Sequence, residues 1–335
     1  MQQIPLPLAD RELRAALAGG LSGPPPPTPR AAQLAEYLAR VFGPSTIGIV
    51  HYGSHVQRSD ARPESAHDYV VIVERYADAY KSLAATISPS YRAATAAFLN
   101  RILPPNVISI TLHNESPPLE AKCAIYSLSD FLRACSARAK DHFALGRLFQ
   151  HVQLIWTKDA VHQSRLTDAL QRSRALTWSW GRPYLPSRFD VESYCRVLLA
   201  TSYAAEIRPE GLERVDDLVT AQRDILVPMY GALLAHFASE RIVATDGKVY
   251  MDLHPPGAVA RARAALYFRR SKIRATLRWL KYMALYDNWQ EYILRKIARR
   301  SGISVELTAR ERRWPLIFLW PKALRYLRAR PQRRI

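Results

Sequence analysis

The sequence predicts an α+β protein, with a mixed-sheet head, a helical domain behind it and a basic amphipathic tail at the C-terminal end. Three observations carry this expectation. Short apolar runs of strand character lie between residues 46 and 128, apolar residues recur at helical spacing from Ser129 onward, and basic residues crowd the last 75 positions. At 335 residues and 48% hydrophobic content, the chain is long enough for more than one packed unit with a real core.

Taken in order, "GPPPPTPR" at 23–30 reads as a stiff spacer after a short N-terminal helix, so residues 1–30 form an N-terminal segment and Pro-rich linker. "RAAQLAEYLARVF" at 30–42 has helical periodicity and stops at Gly43-Pro44. "TIGIVHYGS" and "DYVVIVE" read as neighbouring buried strands, followed by strand candidates "NVISITLHN" and "AKCAIYSL". Residues 31–150 form the expected head. Helical patterns then run through "SDFLRACSARAKDHFALGRLFQHV", "DVESYCRVLLATSYAAEIR" and "LERVDDLVTAQRDILVPMYGALLAHF", giving a helical domain over 151–260 that completes a cleft. No internal repeat is visible.

Composition removes several function classes. Three cysteines, Cys123, Cys135 and Cys195, are odd in number and lack C-x-x-C spacing, which argues against a disulfide framework or a zinc site and for core packing in a reducing compartment. No run approaches the ~20 apolar residues that span a bilayer, and the first residues lack a signal-peptide layout. A soluble or peripheral protein is expected.

The formal charge is +19, and 21 Lys and Arg face only four acids in residues 261–335, a local net of +17. Such a concentration suits a polyanionic surface, either nucleic acid or anionic membrane, although a solvated basic helix has the same composition. "ERRWPLIFLWPKALRYLRARPQRRI" sets Trp314, Phe318 and Trp320 among arginines that include Arg325 and Arg328. That run is too short to span a membrane but suits an interface. Stacking tryptophans and phosphate-binding arginines would also fit RNA, and a buried terminal helix is the third reading.

The stretch "IGIVHYGSHVQRSDARPESAHDYVVIVERY", residues 47–76, carries the chemistry. Gly53 permits backbone geometry closed to other residues, so a Gly53-Ser54 turn at a strand end can bring N–H groups and a hydroxyl close to a phosphate. Asp68, on the adjacent strand, can hold Mg²⁺ against those phosphates. Strand, Gly-Ser, loop, Asp and strand resemble the core signature of the nucleotidyltransferase (polymerase β-like) superfamily. That superfamily carries Asp-x-Asp, whereas Ala66 stands at the first position here. His67, between them, alternates to the opposite face and reads as structural.

Residues 46 to about 235 resemble the mitochondrial-type, peripheral phosphatidate cytidylyltransferases, the CDP-diacylglycerol synthases. The motifs are "HYGSHVQ…HDYVVIV", "SPSYR" at 88–92, Asn114, "KCAIYS" from Lys122 to Ser127, "FALGRLF" with Gly146 and Arg147, and "SYAAEIR" from Ser202 to Arg208. His55, Ala124 and Glu206 depart from the family pattern. The resemblance implies that CTP and phosphatidic acid react to give CDP-diacylglycerol and pyrophosphate. It makes Asp68, Lys122 and Glu206 catalytic, with Asp68 and Glu206 holding Mg²⁺. Gly53, Ser54, Lys122, Ser127, Arg147 and Arg208 would bind nucleotide. The enzyme would sit peripherally on an anionic membrane, at the cytoplasmic face of an inner membrane or in a mitochondrial matrix. A catalytically weak or inactive nucleotidyltransferase-like protein, binding nucleic acid or another partner through the tail, is the alternative that Ala66 and the tail charge keep open.

Overall fold

The computed structural model describes residues 10–22, 27–58, 60–62, 65–87, 91–113, 118–205, 213–285, 308 and 310. Two compact units divide the chain, residues 1–279 and 280–335. The first is an α+β structure built on a mixed five-stranded sheet.

Helix α1 (Arg11–Leu17) is capped by Asp10, whose carboxylate accepts from the N–H groups of Glu12 and Leu13. It does not stand apart from the body, as the proline run suggested, because Leu13, Leu17 and Leu21 are all buried. Helix α2 (Pro29–Phe42) starts with Pro at its first position and Thr28 as cap. Its buried residues, Leu34, Leu38, Val41 and Phe42 among them, recur at helical spacing.

Strand β1 (Thr46–Tyr52) follows, then a single turn, α3 (Ser54–Gln57), and strand β2 (His67–Val73). Two helices that the sequence reading passed over, α4 (Tyr76–Ile87) and α5 (Ala93–Ile102), lead into β3 (Asn106–Leu112) and β4 (Leu119–Ser127). The stretch read as one helix from Ser129 is broken into α6 (Leu128–Ala134) and α7 (Leu145–Leu148), and β5 (Gln153–Thr157) follows it. The sheet order is β3-β4-β2-β1-β5, with β2 and β4 parallel and the other pairs antiparallel.

One sheet face packs Tyr69 and Val71 beneath α2, where the Tyr69 hydroxyl donates to the Ala31 carbonyl at 2.9 Å. The other face buries Val50, Val70, Ile72, Ala124 and Tyr126 against Phe131, Leu148, Leu166 and Leu170.

Helices α8 (Ala160–Ala175), α9 (Thr177–Gly181), α10 (Val191–Ala204), α11 (Glu213–Ala221) and α12 (Arg223–Ser239) form a second cluster around Trp178, Trp180, Tyr194, Tyr230 and Phe237. A short ribbon of β6 (Val243–Thr245) and β7 (Tyr250–Asp252) precedes the long α13 (Ala258–Leu285). Arg174, fully buried, joins the clusters by donating to the carbonyls of Leu17, Gly19 and Gln150 at 2.7, 2.8 and 3.0 Å. All three cysteines are free and buried. No helix among the described residues is long and apolar enough to cross a membrane.

Candidate active site

The site begins where β1 ends. Gly53 adopts φ 85°, a conformation that disfavours side chains, and it starts α3, with its carbonyl accepting from Val56 and Gln57 at 3.0 Å. A Cβ added at Gly53 would lie 2.5 Å from Asp68 Oδ2 and 3.1 Å from Asp68 Cβ. Asp68 therefore lies directly against the Gly53-Ser54 turn, and only glycine gives it that room.

Register brings in the third residue. Tyr52 opposes Asp68 across the β1–β2 ladder, and Asp68 pairs with Lys122 across the parallel β2–β4 ladder. Paired residues share a face, so the turn, the carboxylate and the ammonium meet at one end of the sheet although 69 residues separate Gly53 from Lys122. Asp68 and Lys122 are both half-buried. Beyond Lys122 the same face stays open to solvent at Ser109, its partner on β3, and at Glu120.

Glu120 was not singled out in the sequence. It lies two residues before Lys122 on the same face of β4, and one step past the paired register it falls beside Ala66. An acid thus stands on the neighbouring strand next to Ala66, two residues before Asp68. The two-residue alternation in "LEAKCAIYS" was the available signal, but only the strand pairing gives it meaning.

On the opposite face, His67 stacks on His55 with ring centroids 3.8 Å apart, and its Nδ1 lies 3.2 Å from His51 Nε2. His55 Nε2 also sits 2.8 Å from both the carbonyl and the hydroxyl of Ser65. His55 thus closes the loop between the turn and β2. Burial, with the neighbouring rings adding to it, pushes His51 down to about 3, and His67 goes down to about 4 for the same reasons. Both rings are neutral at ordinary pH and are structural supports of the turn.

Ser127 and Arg147 have other partners. Ser127 sits five residues beyond Lys122 on β4, about 17 Å away at strand rise, where it caps α6. Arg147 donates to the Phe143 carbonyl at 2.9 Å and lies over the Phe143 ring. Gly146 is closely packed, since a Cβ there would meet His142 and Ser202 at 2.8 and 3.4 Å, and His142 Nε2 is 3.0 Å from the Ser202 hydroxyl. The "LGRL" segment and Ser202, at the start of "SYAAEIR", are therefore neighbours. Glu206, Arg208, Asn114 and residues 88–90 lie outside the described residues, as do Trp314, Phe318, Trp320, Arg325 and Arg328.

The donor set suits Mg²⁺ in one regime only. Among the described residues no group of three or more His, Cys, Asp or Glu side chains is placed to hold a metal ion. Mg²⁺ is commonly held by one or two carboxylates together with substrate phosphates, and Asp68 and Glu120, on neighbouring strands beside the Gly53-Ser54 turn, are side chains of that hard-oxygen type. No family model matches the chain, and no curated protein sequence matches it. The likeness to the peripheral cytidylyltransferases therefore rests on the motifs themselves.

Proposed function

We propose that the protein is a nucleotidyltransferase that joins CTP to phosphatidic acid, forming CDP-diacylglycerol and releasing pyrophosphate. The observation that carries the reading is the convergence of Gly53, Ser54, Asp68 and Lys122 at one end of the sheet. In this reading the Gly53-Ser54 turn cradles the β- and γ-phosphates through main-chain N–H groups and the Ser54 hydroxyl. Asp68, with Glu120 or Glu206, would hold Mg²⁺, which would supply positive charge and Lewis acidity to the substrate phosphates.

An oxygen of the lipid phosphate forms a bond to the α-phosphorus, and the α–β phosphoanhydride bond breaks. The lipid phosphate is already ionised, so alignment and charge neutralisation do most of the work and no strong base is required. Lys122 supplies positive charge where negative charge accumulates.

A membrane-bound substrate fits the character of α13. Val259, Leu266 and Ile273 recur every seven residues and are 67%, 66% and 55% exposed, with Leu277 continuing the stripe. Exposed Arg261, Arg263, Arg269, Arg270 and Lys272 accompany them, and the helix contains no acid. Apolar stripe and flanking cations are the composition of a helix lying on anionic lipid.

The second reading is a nucleotidyltransferase-like protein without turnover, favoured by Ala66 and the net +17 of residues 261–335. One assay separates the two: full-length protein, labelled CTP, Mg²⁺ and phosphatidate vesicles, scored for lipid-extractable label. Transfer above background supports the synthase. No transfer, together with RNA binding that falls steeply with salt, supports the alternative.

A further inference from the structure

At the far end of β2 and β4 the first unit has a second cleft, of about 640 Å³. Six residues of β2 rise separate Asp68 from Glu74 on its edge, about 20 Å. The cleft is therefore a different place from the Gly53–Asp68–Lys122 site.

Two of its three acids are already satisfied, and the third, Glu74, is exposed at its edge. Asp130 accepts from the hydroxyls of Tyr76 and Ser127 at 2.8 and 3.0 Å and from Arg133 at 2.6 Å. Asp141 is 8% exposed, and burial alone would raise its carboxyl. Arg278 and Arg274, both at 2.7 Å, hold it lowered instead. Two guanidiniums against one carboxylate leave positive charge at the base of the cleft.

Further cations remain at the opening. Arg101 comes from α5 and Lys140 from the segment after α6; both are exposed, and neither carries an ion pair among the described residues. Beside Arg101 on the same face of α5 stand Phe98 and Ile102, 63% and 59% exposed. Two large apolar side chains left in water one helical turn apart, at the mouth of a cationic cleft, mark a place where an apolar group is received.

We propose that this cleft binds a phosphate monoester that carries an apolar group, with Arg101 and Lys140 as partners of the phosphate and Phe98 and Ile102 as the seat of the apolar part. A monoester is close to a dianion at neutral pH, which suits a lining of five cations against three acids, and the guanidinium fork suits its oxygens. The concave form disfavours a long polyanion such as RNA. The cleft is separate from the Asp68 site, although phosphatidic acid, the substrate proposed above, belongs to the same ligand class.

Calorimetric titration of the full-length chain with octyl phosphate at pH 7.5 and low salt tests it. Saturable binding is expected, about tenfold or more tighter than binding of octyl glucoside or inorganic phosphate. Arg101→Glu with Lys140→Glu should weaken it by about tenfold or more, and Phe98→Ala with Ile102→Ala should weaken octyl phosphate but not inorganic phosphate. Asp68→Asn should bind octyl phosphate as the parent does. Dihexanoyl phosphatidate against phenyl phosphate then tells a lipid from a soluble ester, and preference for either supports the class.

Unchanged binding by the charge-reversed protein, equal affinity for octyl glucoside, or loss of binding only in Asp68→Asn would overturn the proposal. A circular-dichroism melt of each variant ensures that a lost signal is not lost folding. Should nucleotidyl transfer fail while this binding persists, the cleft stands and the enzyme reading falls. The reverse result removes the cleft alone.

Discussion

Gly53 is the residue on which the proposed chemistry turns. Replacing it by alanine puts a side chain at φ 85° and 2.5 Å from the Asp68 carboxylate, so Gly53→Ala should destabilise the protein by about 1–3 kcal/mol and displace the acid. A urea denaturation curve reads the first effect, and loss of transfer activity reads the second. Asp68→Asn removes charge without volume. It should lower turnover by about 10²-fold or more with an unchanged melting temperature, whereas near-normal turnover at saturating Mg²⁺ would sink the ligand assignment. The histidines behind the turn set a pH limit. In the unfolded chain each titrates near 6.5, but His51 is held to about 3, and His67 and His151 to about 4, chiefly by burial. The unfolded state thus binds protons that the folded state refuses. Stability is full above pH 6.5 and falls as pH drops toward about 3, on the order of 1 kcal/mol per pH unit from His51 alone. Urea midpoints at pH 7.5, 5.5 and 4.5 should show this decline, and His51→Gln should flatten it.

Among the elements, the strands that carry the site are those whose cause is local. β1, β2, β3 and β4 announce themselves as apolar, β-branched runs, and the Gly53-Ser54 turn with Asp68 lies within one such pair. β5 was hidden because "QLIWT" is five residues long and mostly half-buried, and its strand state comes from pairing with β1. The approach of Lys122 and Glu120 to Asp68 was equally hidden. It follows from a parallel crossover whose register no short stretch of sequence encodes. That register has a kinetic consequence. If Lys122 neutralises charge that develops only during transfer, Lys122→Ala should lower kcat with KM for CTP little changed, whereas a raised KM at constant kcat would mean ground-state binding. Glu120→Gln should raise the Mg²⁺ concentration needed for half-maximal activity by about tenfold if the acid shares the ion with Asp68. The helices show the same dependence on distant partners: α1 is fastened by Arg174 through carbonyls more than 150 residues away. Arg174→Met should cost about 3 kcal/mol, because two buried carbonyls and one half-buried one lose their donor together.

At the scale of the whole molecule, the charge is not spread but gathered. The first 260 residues are nearly neutral, and the last 75 hold a net +17. Unit 1 contains the Gly53–Asp68–Lys122 site, and α13 begins the basic segment with its exposed Val259, Leu266 and Ile273. If that segment serves to bring the enzyme to anionic lipid, catalysis and docking are separable. Leu266→Glu with Ile273→Glu, or removal of residues 313–335 with Trp314, Phe318 and Trp320, should abolish co-sedimentation with phosphatidate vesicles and leave CTP binding intact. Arg325, Arg328 and Arg330 reversed to Glu should weaken binding to anionic vesicles more than to neutral ones. Salt should reduce docking only in part, because screening reaches the arginines and not the apolar groups already out of water. RNA binding would behave otherwise: its affinity would fall by orders of magnitude between about 50 and 200 mM salt, in proportion to the phosphates neutralised. A chain that ignores anionic vesicles and binds RNA with that steep slope carries a nucleic-acid arm, and the lipid substrate then loses its physical support outside the motifs.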